Sequence, residues 1–471
     1  MTAATTVPLR RNPEYVRWLT GDILLDIGAG IASFAFPLVT LAVTGSAGAV
    51  GMVGLIQGIG GLLGLIPGGI LADRFDRRRL RILAALTGAV TQSVLVAVLV
   101  AGHPAVPVLA AIAFVHSLRG GLLNVASDPM LKQIVPPAQL PRAFAINEGR
   151  GAAVELGAGP AGGALLAVHL ALPALTLVIT QIGSLIATLT MRGDYRPRTA
   201  ADAPAGRVRD DLSEAWHWCM AQPVRVQMAA IALLANLGSN GVLLTVTLML
   251  ASRGVPATQI GVLSSVLSAS ILLGSICAPK LLEHVPTGVV TVTELVVLAL
   301  SAVALPFAPN VWVIGGIYAL LGVGIAPLNA AAQGYFMHIT PTEMQGRIGS
   351  LMGLVSMGLM PLAPALAGWG LERVGPVPTM LLFAAICAAA ALIALLGRSV
   401  RRIPVAARWQ GHAAAEGLVP PDPAEDPAPL DPQDPARVGE RFEDPACAGE
   451  TPPAADAPLR ARARRSRPRS R

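Results

Sequence analysis

Runs of about 20 apolar residues recur twelve times along this 471-residue sequence, and each is long enough to cross a bilayer as a helix. A chain made of such runs has few folds open to it, because lipid offers no partner for backbone N–H and C=O groups and helices satisfy them internally. The charge content agrees: 13% of the residues are charged, where a soluble domain carries about 25%. Soluble enzyme, nucleic-acid module and secreted disulfide scaffold are poor readings of such a chain.

The runs lie at about 19 to 43, 47 to 71, 80 to 101, 104 to 127, 144 to 168 and 170 to 191, then at about 224 to 251, 257 to 282, 287 to 307, 309 to 334, 347 to 370 and 375 to 397. The expected fold is therefore an all-α membrane protein of about twelve transmembrane helices in two six-helix halves. Four segments follow: 1–192, a first six-helix half; 193–223, a cytoplasmic linker; 224–397, a second six-helix half; and 398–471, a disordered cytoplasmic tail. The first run begins near Trp18 without a small-residue cleavage site, so it reads as a retained helix and not a signal peptide.

Arginine sets the orientation. Arg10, Arg11 and Arg17 precede the first run, Arg74 to Arg81 follow the second, Lys132 and Arg142 follow the fourth, and Arg192 to Arg209 follow the sixth. The alternate connections hold almost none, Arg253 and Arg373 excepted, which places both termini in the cytoplasm. The net charge of +7 is thus a matter of topology, not of nucleic-acid binding. Within the linker, Asp211 to Met220 reads as an amphipathic helix with Trp216 and Trp218 at the interface. The tail's Pro-, Ala- and Asp-rich composition has too little apolar surface to offset ordering entropy. Cys219, Cys277, Cys387 and Cys447 have no metal-ligand or CxxC spacing and read as inert thiols, and neither metal nor cofactor is expected.

The halves echo each other. QIVPPAQLPRA from Gln133 and HITPTEMQGRI from His338, 205 residues later, share Ile, Pro and Arg at the connection between the fourth and fifth runs of each half. Parallel six-helix repeats of this kind belong to one large class of transporters.

Two motifs carry a family resemblance. GILADRFDRRRL from Gly69 to Leu80 resembles the signature of the major facilitator superfamily between its second and third helices, with Asp76 standing where the family usually has glycine. The siderophore- and macrolide-exporter branch often has this Asp-Arg-Arg form. In the second half GSICAPKL (Gly274 to Leu281) keeps the glycine and one basic residue but loses the acid. The resemblance implies a conformational gate of Gly69, Asp73, Arg74 and Arg77, with Asp128 at the end of the fourth helix holding Arg77. Physically, Gly69 permits close helix approach, and Asp73 can face the N-terminus of the eleventh helix near Gly346 to Gly349. Arg78, Arg79 and Arg81 read as topology determinants. GAGPAGG from Gly157 to Gly163 is similar to the family's antiporter signature, in which Gly159, Pro160 and Gly163 bend the fifth helix to seal one face. The alternative is simple small-residue helix packing.

Charges inside the runs are few, and each costs at least ~2.5 kcal/mol unless it faces a cavity or a partner. Asp26, Arg119 and Glu155 are the cavity and proton-coupling candidates. Arg119 stands where family antiporters carry an arginine linked to proton transfer, and is expected to balance Asp26 or Glu155. Asp22, Glu148 and Arg150 read as interface or loop anchors, and Glu294 as a solvated helix-end acid without a role. The expected function is secondary active transport: proton-coupled export of an amphipathic small molecule (a drug, antibiotic or siderophore) by a monomer in a bacterial inner membrane. A lysolipid or lipid flippase, and a transport-inactive sensor or scaffold, are the alternatives. Deleting the tail after about residue 400 separates the last of these.

Overall fold

The computed structural model describes residues 8–102, 104–196, 208–341 and 344–419. The first half contains α1 (Pro13–Thr44), α2 (Ala47–Arg74), α3 (Arg77–Ala101), α4 (Val106–Leu123), the short α5 (Ser127–Ile134), α6 (Leu140–Val168) and α7 (Leu172–Thr190). After α8 (Val208–Met220), the second half has α9 (Pro223–Ser252), α10 (Ala257–His284), α11 (Thr287–Ala304), α12 (Val311–His338), α13 (Gln345–Gly358), α14 (Leu362–Arg373) and α15 (Pro376–Leu396). The chain continues as α16 (Arg398–Arg401) and α17 (Trp409–Ala415). Among the described residues twelve spans are long and apolar enough to cross a membrane, with α13 and α14 sharing one. The expected all-α, six-plus-six architecture is the one found.

Local chemistry sets the helix ends. Asn12 caps α1 by accepting from the Glu14 and Tyr15 amides, Pro13 occupies the first turn, and Gly45 ends the helix at a φ of 66°. The eleventh run departs from the single helix expected of it: it breaks at Leu359–Pro361, where proline follows a non-helical turn, into α13 and α14.

Close helix contact within the first half relies on small residues. A Cβ at Gly64 or Gly68 of α2 would strike the backbone of Leu118 and Gly121 on α4, whereas Gly69 has open space around it. Gly64 and Gly68, five and one residues earlier, face α4, whereas Gly69 lies at the end of α2 where the gate is open in this conformation.

The arginine-bearing helix ends define one face of the bundle, and the turn at Gly45 and Ser46 marks the other. Among the described residues, the main contacts between the halves lie toward the second face. There α2 packs on α14, with Gly51 against Gly368 and Gly54 against Pro364, and α6 packs on α10. Leu38 of α1, with Phe34 and Leu166 beside it, joins the apolar cluster of the second half. At the arginine-rich face, each apolar cluster of described residues stays within one half or within that half and its adjoining segments. The cleft between the halves thus opens toward the arginine-rich face.

Two flanking segments are structured. In α8, Trp216 is exposed as expected of an interfacial residue, but Trp218 is half-buried, edge-on to Phe336 and covered by the Arg225 guanidinium 3.5 Å above its ring. The first part of the segment expected to be disordered, 398–419, instead docks on the second half. Trp409 Nε1 donates to Thr287 Oγ1 (3.0 Å), and its ring meets Tyr335 edge-on. A tryptophan, Ile403 and Leu418 supply the apolar surface that the later Pro- and Asp-rich stretch lacks. The rest of the tail, 420–471, lies outside the described residues.

Candidate functional site

A cavity of about 640 Å³ lies where the closed parts of the two halves meet. Helices α1 to α4, the α6–α7 turn and the start of α7 supply most of the wall; Asn240 and Leu244 of α9 and residues of the α13–α14 span, from Met357 to Pro364, complete it from the second half. Its polar groups are Ser33, Thr40, Gln57, Gln92, His116, Ser117 and Asn240. Among the described residues, no Asp, Glu, Lys or Arg lines it. The Gln92 side-chain amide and His116 Nδ1 are 2.9 Å apart, so two helices fix this pair in the wall.

Asp26, Arg119 and Glu155 are not among the residues that line this cavity. Arg119 is one turn beyond His116 on α4, but its side chain turns into the α3–α4 seam, where Nη1 donates to the Ala84 carbonyl (2.7 Å). It is 7% exposed. Neither expected acid reaches it: Asp26 pairs instead with Arg150 of α6 (2.8 Å), and Glu155 is exposed on α6. The sequence placed Arg119 on the correct helix, but helix rotation determined which neighbour it meets.

The charged centre of the first half is a buried knot that the sequence reading divided among loops. Asp22 accepts from Arg81 and from Ser127 Oγ (2.7 Å), and its second oxygen lies 3.3 Å from Arg150. Arg150 thereby bridges Asp22 and Asp26. Both guanidinium groups stand 6.0 Å from the ring of the fully buried Trp18. Two acids and two arginines balance, as buried charges must. Arg81 is therefore not merely a topology determinant, nor Arg150 a loop anchor. The signal was present: α3 begins at Arg77, so Arg81 lies one turn inside the helix, on the face of Leu80, Ala84 and Ala85.

At the arginine-rich end of α2, Asp73 and Arg74 are exposed. The Arg77 side chain donates to the carbonyls of Ala72 (3.3 Å) and Pro129 (3.4 Å). Asp128, expected to hold Arg77, has a side chain outside the described ones. Gly349, near the expected partner of Asp73, has open space around it. At the other face the mirror arrangement is formed: Glu372, at the end of α14, accepts from Ser46 Oγ (2.9 Å) and the Gly48 amide (2.6 Å) at the start of α2. Gly159 and Gly163 press on the backbone of Gly261 and Ala257 across the halves, beside Pro160 inside α6. Glu294 is buried at 7% exposure, contrary to the solvated helix end expected.

No curated protein sequence matches the chain. Solved structures do. The nucleoside transporter NupG, in a mutant form, aligns with a TM-score of 0.67 at 14% identity, covering 82% of this chain and 99% of its own. A bacterial homologue of the iron transporter ferroportin in an inward-facing state gives 0.62 at 18%, covering 83% and 99%; a bacterial homologue of ferroportin in an outward-facing state gives 0.55 at 20%, covering 85% and 99%. These likenesses concern the fold. A sequence model described as Major Facilitator Superfamily matches residues 19–361 and 228–437, and with that span the chain belongs to the Major Facilitator Superfamily of membrane transporters.

Proposed function

We propose that this chain is a secondary active transporter that exports a neutral or amphipathic small molecule against inward proton flow, rocking its two halves about the cavity. The observation that carries the reading is the wall of that cavity: apolar side chains with amides, hydroxyls and one imidazole, and no ion. Such a wall suits an uncharged drug-, antibiotic- or siderophore-sized solute better than a bare cation or a nucleotide. The opening toward the arginine-rich face, taken as cytoplasmic by the positive-inside rule in a bacterial inner membrane, is the orientation in which an exporter loads. The resemblance of Gly159, Pro160 and Gly163 to the antiporter signature supports export over import.

Asp26 is the proton carrier of this reading, because protonating it removes one of the two α1 carboxylates that hold Arg150 of α6, leaving Asp22 as its partner, and so ties proton binding to the α1–α6 seam. Everted membrane vesicles energised by respiration provide the test, with an acridine dye reporting the pH gradient and neutral macrolides and Nile red as trial solutes. The wild-type protein should collapse part of the gradient when a transported solute is added. Asp26→Asn should insert normally and lose that response. A mutant that dissipates the gradient as the wild type does refutes the assignment of Asp26.

A further inference from the structure

Glu294 lies seven residues into α11, about 10 Å from the arginine-rich end at 1.5 Å per residue. It is buried, its Oε1 has no hydrogen-bond partner, and it forms no ion pair among the described residues. The other carboxyl oxygen occupies the space that a Cβ on Gly324 of α12 would fill, so any other residue at 324 would expel it. Helix α11 packs against α12, α15 and α16 and touches α9. The titratable groups those helices carry are Tyr318, Tyr335 and His338, Cys387, Arg398 and Arg401, and Arg225. None bonds to Glu294: Tyr335 pairs with His412, Arg401 with the Leu395 carbonyl and Arg225 with the Trp218 carbonyl.

The first half offers a comparison. The 205-residue offset between the repeats places Gly324 opposite Arg119. In the first half a cation from the fourth helix is buried in the seam between its third and fourth helices; in the second half that position is glycine, and an acid from the third helix takes the room. Arg119 keeps a carbonyl partner, while Glu294 has none. A bare carboxylate so placed would cost several kcal/mol, whereas the neutral acid forgoes only a hydrogen bond. Pro327 lacks the N–H that the Val323 carbonyl would use, so α12 can change its bend beside Gly324 without breaking that bond.

We propose that Glu294, seated on Gly324 in the α11–α12 seam, is a proton-binding site of the second half, loaded while the cleft is open at the arginine-rich face and emptied as the halves rock to the opposite state. The inference rests on the proton-coupled reading above and adds a second carrier to it. By linkage, a proton held more tightly in one state favours that state. Raising the pH should therefore move the population away from the arginine-face-open form, by at most about tenfold per pH unit for a single site.

The test uses the full chain in lipid nanodiscs, with its four cysteines replaced by alanine and spin labels at Gly149→Cys and Gly349→Cys, positions in different halves with open space around both. Pulsed-EPR distance distributions are recorded from pH 5 to pH 9. The long-distance population should fall with rising pH in the labelled parent, stay high throughout in Glu294→Gln, and titrate again in Glu294→Asp. Asp26→Asn should leave the Glu294 transition in place. Titration of Glu294→Gln like the parent overturns the inference. If Asp26→Asn alone abolishes the transition, proton coupling stands and Glu294 is excluded. If the parent shows no transition, both readings fail. Should Glu294→Gln not give monodisperse protein, Gly324→Ala displaces the carboxyl instead, and an unchanged titration in that variant overturns the inference equally.

Discussion

Asp22 gathers two arginines, a serine hydroxyl and, through Arg150, a second acid from four helices, so the first half is tied together at one residue near its arginine-rich end. Removing one partner leaves a charge buried and uncompensated, which typically costs about 3 kcal/mol or more. Arg81→Met should therefore lower the melting temperature of the detergent-solubilised protein by several degrees. Arg79→Ala should barely move it, since the Arg79 to Asp76 pair is 3.9 Å apart and Arg79 is largely exposed, and such pairs contribute about 0.5 kcal/mol or less. Equal shifts from both substitutions would mean that the knot adds nothing beyond surface charge. The sequence exposed Asp22, Asp26, Arg81 and Arg150 as intramembrane or boundary charges, but neither Ser127 nor their meeting, because residues 22, 81, 127 and 150 come together only through the rotation of α1, α3 and α6 about their axes. Arg119 illustrates the same limit: its helix was legible, and its partner, a backbone carbonyl of α3, leaves no mark in the sequence.

Among elements, the spans were legible because each is a continuous apolar run, and what escaped was whatever depends on a neighbour. The break between α13 and α14 is one case, since a lone proline leaves some membrane helices intact and divides others. The strap from Arg398 to Val419 is another. Its composition resembles a solvated segment until Trp409 finds the edge of Tyr335 and the hydroxyl of Thr287. This refines the tail deletion. A chain ending after Val419 should keep wild-type expression and transport, whereas one ending after Gly397 strips the cover from Gly334 and Tyr335 on α12, from Ile339 just beyond it and from the start of α11. It should give less monodisperse protein with a lower melting temperature. Size-exclusion profiles of the two truncations decide the point, and identical behaviour would show that the strap contributes nothing to the second half.

At the scale of the whole molecule, α2 and the α13–α14 span run antiparallel across the boundary between the halves, and each carries an acid one residue before its C-terminal end, Asp73 and Glu372. In the conformation described, one of these ends is closed and the other is open: Glu372 caps the start of α2 through Ser46 and Gly48, while Asp73 is exposed and a Cβ at Gly349 would meet open space. An acid at a helix N-terminus is stabilised by the amides and the partial positive charge there. Rocking that separates Glu372 from α2 is therefore expected to bring Asp73 to α13, so that the two acids favour opposite states. The sequence motif pointed to Asp73 alone; the opposing acid became visible only once the closed face was seen. Each contact lies at the surface, so its loss should be worth about 1 kcal/mol, roughly a fivefold change in population. Cysteine labelling at Gly349→Cys in intact and everted membranes measures that population. Asp73→Asn should raise labelling from the arginine-rich side and slow transport at normal expression. Glu372→Gln should lower the same labelling, and the double variant should return it close to the parent value. If Asp73→Asn leaves labelling unchanged at equal expression, Asp73 serves only topology or packing, and if both single variants shift it in one direction, the two acids do not oppose each other.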